Sequence, residues 1–424
     1  MPGGDIGSRG WRRTTAWLAS YRVGSDLFAK GVMLAVTVAA ARRLSLEQFG
    51  AFGLASTVGW LTAVVADAGL QMHVARSVAR APEQADYSLG RWLPVRLASL
   101  VVTVAAGVVT LRLAAPAGMS LTPLAAIAAA YAVNGLTEFL SHVLRGLQRT
   151  DVESAIALAQ RTLLAVLAAI ALWRWPGLSG LGLALLVSGL AGCLATFLIV
   201  RRLTARAPRT ASTGGRWREF VHASLPIGAA TLLSALYFRI DVLLLEHWRG
   251  VGDVGLYNAM FRVIDAMRLL PAAWLAVTLP ALCRADDLRV MTRLASSLAM
   301  AAVAATLVAW VASPALVPAV FGAAYADGVA PLRVLLLAYP LMTLNYVLSS
   351  QLIAWNRHGA WLRCCGGALV VNVLVNAKLI PSLGMTGAAW ATVWTEVFIS
   401  AGCALALLRA PSLKFMDDAA VEVP

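Results

Sequence analysis

The stretch ALYFRIDVLLL, Ala235 to Leu245, lies inside about 26 residues, Phe220 to Leu245, that are otherwise almost wholly apolar. A run of that length exceeds the roughly 20 residues an α-helix needs to cross about 30 Å of hydrocarbon. Two opposite charges, Arg239 and Asp241, sit inside it. Ions in such a place are costly unless they are paired, hydrated or held for a ligand, so this stretch points both to a membrane helix and to a candidate site.

Working outward, the same kind of run recurs along the chain. The 424 residues are 60% hydrophobic and 13% charged, more apolar matter than one soluble core of this length uses. Twelve blocks are expected to span the membrane: 23–41, 50–72, 92–114, 121–146, 154–173, 178–200, 219–246, 255–282, 294–318, 328–355, 359–380 and 385–408. They are long and continuously apolar rather than alternating, which selects helices over barrel strands. The expected class is therefore all-α and polytopic. Residues 1–22 are polar and Arg-bearing without a signal-peptide core, so the first helix is expected to remain in the mature protein.

Orientation follows from the basic residues. With both termini and the even-numbered loops on one side, that side holds 24 Lys and Arg against 6 in the odd-numbered loops. The positive-inside rule then places both termini in the cytoplasm. The formal charge of +14 is mostly this topology. The basic residues are scattered over many loops without a folded basic module, which argues against nucleic acid as a partner.

The longest polar connector, Arg201 to Phe220, divides the blocks six and six. This gives an N-terminal segment 1–22, a first half 23–200, a linker 201–218, a second half 219–408 and a tail 409–424. The halves look related. WPGLSGLGLA at Trp175 parallels IPSLGMTGAA at Ile380, and LEQFGAFGLA at Leu46 parallels VGDVGLYNAM at Val251, both at an offset of 205; FLSHVLRGLQR at Phe139 parallels VLSSQLIAWNR at Val347 at 208. An even number of crossings makes the repeat parallel, with a pseudo-two-fold along the membrane normal, and transporters built this way take substrate between their halves.

Candidate site residues come from charge at depth. Arg239 lies seven residues before Glu246 and Arg262 seven after Gly255, so both fall about 10 Å from the same hairpin end at 1.5 Å per residue. Asp241 and Asp265 are close enough in depth to pair with them, and Arg268 continues the series. In the first half, Arg22, Asp26 and Lys30 share one helical stripe by i, i+4, i+8 spacing, with Asp67 near the same membrane face. Lys30, Arg239, Arg262, Arg268 and Arg22 are the candidate cationic cavity; Asp26, Asp67, Asp241 and Asp265 are the candidate charge partners or coupling residues. A purely structural role as neutral clamps between helices stands beside this reading. Asn134, Asn345, Asn372 and Asn376 are expected to be interhelical glue, with Glu396 in a buried interhelical hydrogen bond.

Enzyme chemistry finds no support. None of the three lysines follows a glycine, so no Walker A loop is present, and His-Glu-x-x-His and Gly-x-Ser-x-Gly are also missing. The five cysteines form no Cys-x-x-Cys, and neither a metal site nor a cofactor is expected.

The residues carry a family resemblance. ARRLSLEQFGAFGLASTVGWLTAVVADAGLQMHVARSVAR, Ala41 to Arg80, resembles the start of Wzx-type polysaccharide and O-antigen flippases, within the multidrug/oligosaccharidyl-lipid/polysaccharide exporter superfamily. Arg43-Leu44, Phe49-Gly50 and Asp67-Ala68-Gly69-Leu70 are the matching landmarks. RIDVLLLEHWRGVGDVGLYNAMFRV, PAVFGAAYADGVAPLRVLLLAYP and LIPSLGMTGAAWATVWTE resemble later ones in the same order. The resemblance implies a flippase in the bacterial inner membrane carrying an undecaprenyl-pyrophosphate-linked oligosaccharide from the cytoplasmic to the periplasmic leaflet. It leaves open whether the polymer is O-antigen, capsule or exopolysaccharide. Coupling to protons, to sodium or to consumption of product is equally open. A polysaccharide polymerase and a chain-length regulator are the protein partners such a role implies. The rival within the superfamily is a cation-coupled multidrug exporter, which would favour acidic cavity residues.

Overall fold

The computed structural model describes residues 6–114, 118–205, 225–269, 271, 288–355 and 357–409. Among these the regular elements are all helices. They fall into two compact units, Met1–Leu232 and Leu233–Pro424. The first holds α1 (Ile6–Arg43), α2 (Leu46–Asp67), α3 (Leu70–Arg80), α4 (Ala85–Ala114), α5 (Leu121–Gly146), α6 (Thr150–Arg174) and α7 (Leu178–Thr204). α8 (Leu225–Arg249) begins in the first unit and runs into the second, which continues with α9 (Val251–Met267), α10 (Leu288–Phe321), α11 (Val329–Ala354), α12 (His358–Leu383) and α13 (Met385–Leu408).

Eleven of the described helices are long and apolar enough to cross a membrane. The expected eighth block, 255–282, is seen as α9, 17 residues long, and residues 270 and 272–282 of the block fall outside the described residues. Bulky apolar side chains such as Val102, Leu113, Val308 and Val311 are largely exposed. Exposure on that scale belongs to a lipid-facing surface.

The internal repeat is visible in how each unit packs. In the first unit α5 packs against α2, α4 and α7, and α6 against α7; in the second, α11 packs against α9, α10 and α13, and α12 against α13. Equivalent helices start 205 to 208 residues apart, Leu46 with Val251, Leu121 with Val329, Thr150 with His358 and Leu178 with Met385. That is the offset of the paired sequence motifs.

The second expected block, 50–72, runs through a break that the structure places at Ala68 and Gly69. Ser45 starts α2 with a capping box shared with Gln48. The helix then stops because Ala68 (φ 45°) and Gly69 (φ 86°) both turn left-handed. Asp67 closes the break, accepting from Gly69 N at 3.2 Å and Gln71 N at 3.1 Å. Beyond the break the chain forms an amphipathic helix, α3, burying Leu70, Val74 and Val78 at i, i+4, i+8.

Small residues set the closest approaches. A Cβ on Gly59 would lie 2.7 Å from Ala128 Cα, so α2 and α5 meet backbone to backbone. Gly228, in the first turn of α8, lies so near the α2 break that an added Cβ would collide with the Ala68 carbonyl and Gly69 N. Gly228→Ala is therefore expected to cost about 1–3 kcal/mol, the usual penalty of overpacking. It should lower the thermal midpoint of the purified protein, whereas Gly31→Ala, with nothing within 4 Å of the new methyl, should leave it unchanged.

Arg96 on α4 is fully buried. It lies inside the helix, 11 residues after Ala85. Its guanidinium donates to Ala63 O on α2, at 3.3 Å from both Nη1 and Nη2, and to Gly135 O on α5 at 3.1 Å. Ser99, one turn on, donates to Ala66 O at 2.8 Å. The C-terminal carbonyls of α2 thus find a cation and a hydroxyl where the helix dipole is negative.

Candidate functional site

In the second unit the hairpin of α8 and α9 turns at Gly250 (φ 83°) and is tied by Arg249 Nε to Asp253 at 3.2 Å. From that end Arg239 on α8 and Arg262 on α9 are level, as their spacing requires. The structure brings them together on one carboxylate. Asp265 accepts from Arg262 Nη1 at 2.9 Å and lies 3.5 Å from Arg239 Nη2 and 4.0 Å from Arg268 Nη1. Three guanidiniums thus converge on one carboxylate, with the buried Asp241 in electrostatic reach of Arg239 and Glu396 in reach of Arg268.

The cluster is graded in exposure. The Arg239 side chain is 11% exposed and Arg268 38%, with Arg262 and Asp265 between them. Aromatic rings hold the cations: Arg239 lies 5.1 Å from the Phe238 centroid and 4.9 Å from that of Phe261, and Arg268 lies 4.7 Å from Phe238. The rings fix the direction of the guanidiniums and keep water off their faces.

Asp241 departs from expectation. It does not pair with Arg239 or Arg262; buried at 2% exposure, it accepts from the Tyr257 hydroxyl at 2.5 Å and from Val242 N at 2.9 Å. The reason is register. Arg239 and Asp241 are two residues apart and so project from different sides of α8, and Asp241 meets Tyr257 on α9. Tyr257→Phe would strip a buried carboxylate of its hydroxyl donor, at an expected cost of about 1–3 kcal/mol. The thermal midpoint should fall, and Tyr257→Phe combined with Asp241→Asn should recover part of the loss.

Nearby polar groups join helices, as the sequence suggested. Asn345 donates to Glu396 at 2.7 Å between α11 and α13, and Asn372 to Thr395 at 3.1 Å between α12 and α13.

In the first unit Asp26 on α1 and Asp67 at the end of α2 line one cavity of about 520 Å³. Arg22 and Lys30 share the Asp26 stripe of α1 but are not among the residues lining it. The cavity holds charges that loop counting hides. Arg145 on α5 donates to Glu138 at 2.7 Å and to Glu153 on α6 at 2.5 Å, and Arg161 also lines the space. Since α6 starts at Thr150, Arg161 lies about 17 Å along the helix. The lining therefore carries four carboxylates and two guanidiniums. The i, i+7 spacing of Glu138 and Arg145 on one helix face was the available signal.

Comparison with known proteins identifies the family and the fold. A family model described as polysaccharide biosynthesis protein matches residues 19–286. The chain belongs to that family. The flippase resemblance carried by the Ala41–Arg80 motifs is thereby borne out. Among curated proteins no sequence match is found. Solved structures share the fold: the lipid II flippase MurJ in an inward closed conformation (TM-score 0.70, 13% identity, 92% of this chain and 88% of that one); a MATE in the bent conformation (0.63, 18%, 94% and 96%); and a transporter of the same superfamily from Pyrococcus furiosus, described as having a binding pocket of reverse polarity (0.63, 16%, 92% and 95%). This member of the polysaccharide biosynthesis family thus has the polytopic fold of transporters and flippases.

Proposed function

We propose that this chain is a flippase that moves an undecaprenyl-pyrophosphate-linked oligosaccharide from the cytoplasmic to the periplasmic leaflet of a bacterial inner membrane, for assembly of a cell-surface polysaccharide. The observation that carries the reading is the Arg239, Arg262 and Arg268 cluster on a single carboxylate. A pyrophosphate crossing hydrocarbon needs several cations in a sheltered, partly wet place. Guanidiniums suit phosphate oxygens because their donors are fixed in a fork, and the shared Asp265 neutralises part of the charge when no ligand is bound. Arg22 and Lys30, on the stripe of α1 that also bears Asp26, are proposed as further cationic contacts for the substrate. The substrate is proposed to move by alternating access.

A second reading has one observation in its favour. The first-unit cavity carries more carboxylates than guanidiniums, as a cation-coupled multidrug exporter would. The test is surface polysaccharide in a strain lacking the gene. Restoration of polymer by the wild-type chain supports the flippase; restored resistance to cationic drugs without polymer supports the exporter.

Both termini, and the linker at 201–218, are proposed to face the cytoplasm. Cysteines introduced singly at Gly252 and Asp327 should react with a membrane-impermeant thiol reagent in intact spheroplasts. A cysteine at Ser212 should not, and labelling there would overturn the orientation.

A further inference from the structure

The helix that follows the break at Ala68–Gly69 carries a basic face that belongs neither to the Arg239 cluster nor to the first-unit cavity. While α3 buries Leu70, Val74 and Val78, it turns His73, Arg76 and Arg80, spaced i, i+3, i+7, to another side, with both arginines exposed. α3 meets the start of α4 at the buried Trp92. The His73 ring stands edge-on to Trp92 at 5.0 Å between centroids, and the Arg91 guanidinium lies 5.7 Å from the centroid of the same ring. Arg91 also donates to Tyr87 Oη at 3.4 Å. One tryptophan thus sets the basic side of α3 beside Arg91.

Arg76, Arg80 and Arg91 are all exposed, and among the described residues no carboxylate forms an ion pair with any of them, Glu83 and Asp86 of the intervening turn included. Past Arg91 the same side of α4 is apolar and equally exposed. Ala98, Val102 and Val109 follow at i+7, i+11 and i+18, within about 20° of Arg91 around a helix of 3.6 residues per turn, and Val95 lies one turn past it. From Arg91 to Val102 is about 16 Å along the axis, about half of the roughly 30 Å of bilayer hydrocarbon. A cationic head and an apolar track one leaflet deep therefore stand in line.

We propose that this face seats an anionic glycerophospholipid, its phosphate against Arg76, Arg80, Arg91 and the Tyr87 hydroxyl and an acyl chain along Val95, Ala98 and Val102. Free phosphate or an acidic peptide would use the arginines and leave the apolar track bare. A zwitterionic lipid would cover the track but bring an ammonium against the arginines. Only an anionic lipid matches both, and arginines at a bilayer surface attract such headgroups. In the orientation proposed above the lipid belongs to the cytoplasmic leaflet. The inference concerns a partner other than the carried substrate and does not depend on what the chain transports.

The test uses the full-length protein in detergent, with dioctanoyl phosphatidylglycerol and dioctanoyl phosphatidylcholine as probes. The glycerol lipid should bind about tenfold more tightly than the choline lipid, a difference of about 1.4 kcal/mol. That preference should shrink as salt rises from about 0.1 M to about 1 M, where the screening length falls from about 10 Å to about 3 Å. In the triple variant Arg76→Gln, Arg80→Gln, Arg91→Gln the two lipids should bind within about twofold of each other, and retained binding of the choline lipid shows that the variant is folded. Arg91→Gln alone should lower the preference about threefold, which keeps the proposal testable if the triple variant fails to fold. Removing two exposed arginines at the far end of α4 and α6, Arg112→Gln with Arg174→Gln, should leave the preference intact. A phosphatidylglycerol with a diazirine on a full-length acyl chain should crosslink to α4 between Val95 and Val109. Equal affinity for the two lipids, loss of the preference in the Arg112, Arg174 variant, or crosslinks spread evenly over the exposed helices would mean annular lipid only and overturns the proposal. Competition by inorganic phosphate as strong as that by the glycerol lipid shows that the apolar track contributes nothing, and it also overturns the proposal. Each of these outcomes leaves the flippase reading standing.

Discussion

Reversing charge in the Arg cluster should abolish transport without abolishing the protein. In Arg239→Glu or Arg262→Glu one of the three guanidiniums around Asp265 is lost, and a second carboxylate faces the first. Two like charges 4 Å apart repel by about 4 kcal/mol at an effective dielectric of 20, and a pyrophosphate loses charge-assisted bonds of about 1.5–3 kcal/mol each. Either loss exceeds a factor of ten, so surface polysaccharide per molecule of membrane protein should fall to the level of the deletion strain. Conservative changes divide by geometry. Arg262→Lys keeps a cation near Asp265 and should retain much of the activity. Arg239→Lys should retain less, because a planar guanidinium lies against the rings of Phe238 and Phe261. Asp265→Asn discriminates the two roles. If the cluster is only a clamp, losing the shared carboxylate strands three cations and display falls in step with abundance; in the transport account the surviving protein still binds pyrophosphate.

Arg96→Ala should be the most damaging change to the first unit. It removes a fully buried side chain together with its bonds to the carbonyls of Ala63 and Gly135, which join α4 to α2 and α5. Hydrogen bonds from a charged donor contribute about 1.5–3 kcal/mol each, and the vacated space adds a cavity cost. The expected loss is about 3–5 kcal/mol, read as a collapse of monodisperse yield and of the thermal midpoint. Arg96→Lys should not rescue it, since one ammonium cannot span two carbonyls on different helices. A wild-type midpoint in Arg96→Ala would contradict this account.

The helices were legible because lipid sets their length, and the repeat was legible because Gly50 and Gly255, or Pro176 and Pro381, recur at nearly one offset. Depth could also be read. Counting from the hairpin correctly put Arg239 and Arg262 level. What the sequence does not carry is azimuth around irregular backbone. Asp241, two residues from Arg239, points to Tyr257 rather than to the arginines. The break at Ala68–Gly69 hides inside an apolar run, because an alanine there adopts the left-handed conformation that glycine usually signals. A count of basic residues by side of the membrane does not single out Arg96, Arg145 and Arg161, which α4, α5 and α6 carry inside the helix.

The central claim is that the chain carries a pyrophosphate-linked saccharide across a bilayer, and proteoliposomes test it most directly. A fluorescent polyprenyl-pyrophosphate-linked oligosaccharide is placed in both leaflets, sodium or proton gradients are imposed in turn, and a membrane-impermeant quencher reads the pool exposed outside. The account predicts that the wild-type protein exposes the inner-leaflet pool that empty liposomes protect, and that Arg239→Glu at equal reconstitution does not. A protected pool that persists with wild-type protein under every gradient, or exposure by Arg239→Glu equal to that of the wild type, would contradict it.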